Sequence, residues 1–167
     1  QFLCFSVDPD LTEDTYLEAV QIIAGNEKIV HHVLVYTDED GSSAEQAGEQ
    51  GYWACPGGGI NGDSLIAAWA PGAVPVKTPK EAAFRIPAGS RIILNIHFHP
   101  TGAGAEVDPG TSIDLKWRED RPTYVAEMAL IGNFDNAPGL HPGPNDGPNA
   151  VFEIPANAEE HTETMSY

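Results

Sequence analysis

KIVHHVLVYT, residues 28–37, is the stretch that decides the fold. Its Val, Ile, Leu and Tyr are β-branched, apolar and aromatic types that suit a pleated, half-buried surface. Without a Gly or Pro to interrupt it, the run reads as a buried β-strand. It also carries His31 and His32 side by side, and imidazole is costly to bury unless its ring nitrogens find partners. A second apolar run, SRIILNIHFHP (90–100), holds His97 and His99, so four of the six histidines fall in two strand segments.

Outward from these two runs the same pattern repeats. FLCFSV (2–7), TYLEAVQIIA (15–24), DSLIAAWA (63–70), AAFRIP (82–87), TSIDLKW (111–117) and TYVAEMALI (123–131) are short runs of similar character. The connectors carry turn chemistry: AGNEK, TDEDGSS, CPGGGING, PAGS and PTGAGAEVDPG. Many short strands between Gly- and Pro-rich turns predict an all-β sandwich. DLTEDTYLEAV imitates a capped helix, but its aromatic and β-branched content beyond Tyr16 favours a strand. After Ile131 the character changes. The expected organisation is a sandwich domain over 1–131, a Gly/Pro/Asn-rich linker over 132–150, and a strand-like segment over 151–167 that opens a further domain or ends the chain.

The 167 residues suffice for one ordinary domain with a real core. Eight basic residues stand against 25 acidic ones, a net charge of −17. Such a field repels nucleic acid, anionic membranes and phosphate-rich substrates, and suits a salty or extracellular setting. No apolar run approaches the roughly 20 residues that span a bilayer, so no membrane insertion is expected. The chain begins with Gln1, which fits a processing site or a boundary. Cys4 and Cys55 fit one disulfide in an oxidising compartment, or two unrelated buried thiols.

In a strand alternate residues share a face. Ile92, Leu94, Ile96 and Phe98 therefore form a core face, and Asn95, His97 and His99 point the other way. Two imidazoles two residues apart on one face can meet a single metal. His31 and His32 are adjacent, so an ideal strand sends them to opposite faces. For both to reach one metal the backbone must bulge, as strands do near functional sites; otherwise only one of them binds. A lone strand histidine is usually a hydrogen-bonded structural residue, and His141 and His161 sit in polar surroundings that read as solvated. Four histidines in two strands point instead to a metal, and imidazole suits copper and zinc alike. There is no HExxH, no zinc-finger cysteine spacing and no nucleophile elbow.

At this point the motifs FLCFSV, IVHHVLVY, YWACPGGG with IAAWAPGA, and AAFRIPAGSRIILNIHFHPTG follow one another in a recognisable order. The chain resembles the N-terminal domain of the copper type II, ascorbate-dependent monooxygenases, in the form common among bacterial members. The resemblance implies a jelly-roll β-sandwich with one copper held by three histidines, here His31, His32 and His97. That copper passes electrons, supplied by ascorbate or another one-electron donor. His99 falls just after the third ligand and reads as an alternative ligand or a group behind the ligands. A Cys4–Cys55 bridge is compatible with the family without being carried over from it. The family's C-terminal domain binds a second copper through His-x-His and a methionine, and there O2 attacks a substrate C–H bond. No His-x-His follows residue 99, and Met128 and Met165 lack such a partner. The oxygen-activating site, and every catalytic residue, is thus expected in a companion domain or chain, acting on a small-molecule or peptide substrate.

Two other classes compete. A secreted copper-binding or storage sandwich without catalysis would need the same histidines. A structural or adhesive sandwich with Ca²⁺ at Asp38-Glu39-Asp40-Gly41 leaves them unexplained, and that loop reads more simply as a solvated turn. A zinc hydrolase would need a carboxylate base that no motif supplies.

Overall fold

A computed structural model of the chain describes residues 1–55, 64–128, 139–143, 146 and 148–165. It divides into two compact units, Gln1–Met128 and Ala129–Tyr167. The first unit is built on strands β1 (Phe2–Val7), β2 (Thr15–Ile23), β3 (Val30–Asp38), β4 (Tyr52–Ala54), β5 (Ser64–Trp69), β6 (Val76–Lys77), β7 (Ala82–Ile86), β8 (Arg91–Phe98), β9 (Ser112–Arg118) and β10 (Tyr124–Val125). A single turn of helix, α1 (Ser43–Ala47), and a 3-10 turn at Gly48–Gln50 join β3 to β4.

One sheet has the order β4-β1-β8-β3-β5. The other has the order β10-β7-β2-β6, with β9 also paired to β2. Their facing sides make the core and define an all-β sandwich. Leu17, Val20, Ile22, Phe84 and Ile86 of the second sheet pack in one cluster with Val33, Val35, Ile66, Ile92, Leu94 and Ile96 of the first. Each such side chain stabilises the fold by about 1.5–3 kcal/mol relative to exposure. The predicted core face of β8 is confirmed: Ile92, Leu94 and Ile96 are buried, and Phe98 packs against them.

β2 shows how the chain corrects an irregular pattern. Leu17 and Val20 are three residues apart, which a strict two-residue period would send to opposite faces. The pairing of β2 with β9 shifts between Leu17 and Ala19, a bulge that absorbs Glu18 and returns Val20 and Ile22 to the core.

The expected strand at 123–131 is much shorter than its sequence pattern. It pairs with β7, in parallel, only at Tyr124 and Val125. Ala126 and Met128 turn onto the core cluster instead of prolonging an exposed edge, and 129–131 lie outside the described residues. The helix α1 and the short strands β4 and β6 are absent from the sequence reading. Most of the expected linker at 132–150 lies outside the described residues too. In the second unit the described residues form no strand, only a bridge between Leu140 and Met165. Val151, Phe152 and Ile154 are exposed: an alternating apolar pattern becomes a strand only where a neighbour supplies the ladder. Among the described residues no helix is long and apolar enough to cross a membrane.

Candidate metal centre

The outer side of the first sheet is the working side. Strand alternation places His32, Leu34 and Tyr36 of β3 there, beside Ile93, Asn95 and His97 of β8. β1 adds Phe2 opposite His97 and Cys4 opposite Asn95. Cys4 and Cys55 are joined in a disulfide, whose alternatives the sequence left open. The bridge packs with Leu34, Tyr36, Trp53, Leu65 and Ile93 in a second, smaller cluster. Asn95 is fully buried against it and donates from Nδ2 to Cys55 Sγ, 3.5 Å away.

The bulge required by the adjacent histidines is present. Tyr36 faces Ile93, Leu34 faces Asn95 and His32 faces His97, but the next partners are Val30 and Phe98. His31 is the extra residue. It swings to the side of its neighbour, so that His31 Nδ1 and His32 Nδ1 lie 3.0 Å apart, one donating to the other according to tautomer. The His97 ring centroid is 4.9 Å from those of both His31 and His32. Ligating nitrogens of His31, His32 and His97 all lie within 4.8 Å of one another, a spacing that one metal ion can bridge. His31 is exposed and the other two are half-buried, which leaves the cluster accessible from one side.

The chemistry of these groups fits a metal. Burial, reinforced by the neighbouring imidazole of His31, holds His32 below the usual histidine range. Burial also lowers His97, with the imidazoles of His32 and His31 adding to the effect. Both are thereby kept neutral, the form that coordinates metal. His97 Nδ1 is buried with no hydrogen-bond partner, a costly state for a polar atom unless a ligand completes it.

The other singled-out residues fall elsewhere. His99 lies just past the end of β8, where its N–H donates to the Ile29 carbonyl at 2.9 Å. Its ring meets His31 edge-on at 5.4 Å and is not part of the trio. His161 pairs with Glu163 at 2.6 Å in the second unit. The Asp38–Gly41 loop spends both of its aspartates on the chain itself: Ser42 N donates to Asp40 Oδ1 and Ser43 N to Asp38 Oδ2, each at 2.9 Å. Asp38 is buried, not solvated as a free turn would be. The residue that sequence reasoning missed is Phe2, whose ring stacks on His97; only strand register could have revealed that contact.

Among the described residues, three imidazoles gathered on one sheet of a β-sandwich, with no carboxylate in the group, form a cluster that could hold one metal ion. Residues 2–103 match the family model of the copper type II ascorbate-dependent monooxygenase N-terminal domain. With well over half of its length matched, the chain belongs to that family. No curated protein matches it.

Proposed function

We propose that this chain is the electron-transfer domain of a monooxygenase that hydroxylates C–H bonds with O2, with His31, His32 and His97 as the ligands of its one copper. The observation that carries this reading is the bulge at His31, which turns two consecutive imidazoles toward the third. Copper held by these residues would supply a one-electron Cu(II)/Cu(I) couple. The chain's own part is to hold three imidazoles at fixed spacing and to leave the His31 side open to a donor such as ascorbate. The hydroxylation belongs to a companion C-terminal copper domain or chain. The disulfide supports a secreted or periplasmic setting, since such bonds persist in oxidising compartments.

The test is a copper titration read by metal analysis and electron paramagnetic resonance. One tight equivalent with a nitrogen-rich type II signal, bleached by ascorbate, is expected. His97→Ala should weaken binding by more than about 100-fold, beyond the range seen for groups behind a metal's ligands, and His141→Ala should leave it unchanged. Equal binding by the two variants would overturn the ligand assignment. Tight copper that ascorbate fails to reduce would favour a storage domain.

A further inference from the structure

We infer that Phe2 is a positioning residue for the copper site: its ring, stacked on His97, fixes the imidazole plane. This rests on the reading of the three histidines as copper ligands. The buried Nδ1 of His97 has no hydrogen-bond partner, so no bond at that atom sets the plane of the ring. What touches the ring instead is Phe2. The two rings are parallel within 5°, with centroids 4.0 Å apart. The same phenyl group lies 6.1 Å from the His32 ring, so it borders two of the three ligands.

The backbone holds Phe2 firmly enough for this task. Phe2 is the residue of β1 paired with His97 on β8. The Phe2 carbonyl accepts a hydrogen bond from Cys55 N at 3.3 Å, and Cys55 is bridged to Cys4 two residues further along β1. The disulfide therefore clamps the strand that carries the stacking ring. Stacking restricts rotation of the imidazole about its Cα–Cβ and Cβ–Cγ bonds, and the phenyl face excludes water from one side of His97. An aromatic pair of this kind is worth about 0.5–1.5 kcal/mol beyond its buried area. That contribution is lost with any side chain lacking a flat ring.

The test uses Phe2→Leu, which keeps apolar bulk, and Phe2→Tyr, which keeps the ring. In the copper-free protein the His97 ring protons should show upfield ring-current shifts by nuclear magnetic resonance. Phe2→Leu should abolish those shifts and Phe2→Tyr should retain them. In the copper-loaded protein Phe2→Leu should weaken Cu(I) binding by about 10-fold, the low end for groups that orient a ligand. It should also alter the paramagnetic spectrum and lower the reduction potential, and Phe2→Tyr should restore all three. A Phe2→Leu protein that binds copper with unchanged affinity, spectrum and potential would overturn the inference. Wild-type protein that binds no copper would instead overturn the ligand assignment, and the ring-current measurement would still report whether the stack exists.

Discussion

The two ends of the β3–β8 ladder make opposite use of polar side chains. At one end Asp38 faces Arg91 in regular register. There every charge has a partner within the chain. Arg91 donates to Ser6 Oγ at 2.6 Å and to Asp8 Oδ2 at 2.8 Å, and Asp38 accepts from Ser43 N. At the other end the register breaks at His31. The imidazoles there touch one another and Phe2, and His97 Nδ1 is left with no partner. The paired charges tie the sheet together at that end, although the buried hydroxyls of Thr37 and Ser90 beside them have no partner. At the histidine end no charged side chain is paired, and three imidazoles crowd together instead, with nitrogens close enough for one metal ion to bridge. The same two strands thus hold a charge-paired end and an imidazole end.

Breaking the clamp between the two ends should have the largest effect. The Cys4–Cys55 bridge spans 51 residues, and in the chain-entropy picture its loss costs about 4 kcal/mol. The double variant Cys4→Ala/Cys55→Ala should lose about that much in urea denaturation, followed by tryptophan fluorescence. Loss of under about 1 kcal/mol would show that the bridge only decorates an already rigid β1–β4 pair.

Substitutions at the two ends should separate stability from binding. Asp38→Ala should cost about 1–3 kcal/mol, since it strips a buried N–H of its acceptor, and should leave copper affinity unchanged. His97→Ala should do the reverse, abolishing tight copper while costing the copper-free protein little more than the stack on Phe2, about 0.5–1.5 kcal/mol. If both variants moved copper affinity alike, the distinction between the ends would collapse.

The smallest effect is one of pH. His32 and His97 are held below the usual histidine range when folded, so the unfolded chain takes up protons first. Their contribution is complete above the unfolded value of about 6.5 and is lost as pH falls through the lower folded values. The copper-free protein should therefore lose stability on acidification below about pH 6.5. That part of the loss should disappear in His32→Ala/His97→Ala. A pH dependence identical in the two proteins would mean that the imidazoles titrate as freely folded as unfolded.

Much of the sandwich was legible because strand patterning is local. FLCFSV forms β1 with the expected bounds, and the runs around β2, β3, β5, β7, β8 and β9 each form a strand within about two residues of them. The pieces that escaped were those whose cause is not local. SAEQA makes α1 and YWA makes β4. The helix is too short to carry a period, and β4 exists because β1 and the disulfide offer it an edge. TYVAEMALI erred in the other direction, as a strand-like run whose later apolar residues are recruited by the core.

The candidate site divides along the same line. The sequence by itself determined the candidates: two histidines in one apolar strand, one on the polar face of another, and two cysteines. It also set the condition that the first pair needs a bulge, because side chains alternate along any strand. The tertiary structure alone decided that β3 and β8 are neighbours, that the register slips at His31, that His99 stays outside the trio, and that Phe2 covers His97. Alternation is a property of one backbone. Pairing, register and stacking depend on which distant segments share a ladder, and that is settled only when the apolar faces of both sheets are buried together.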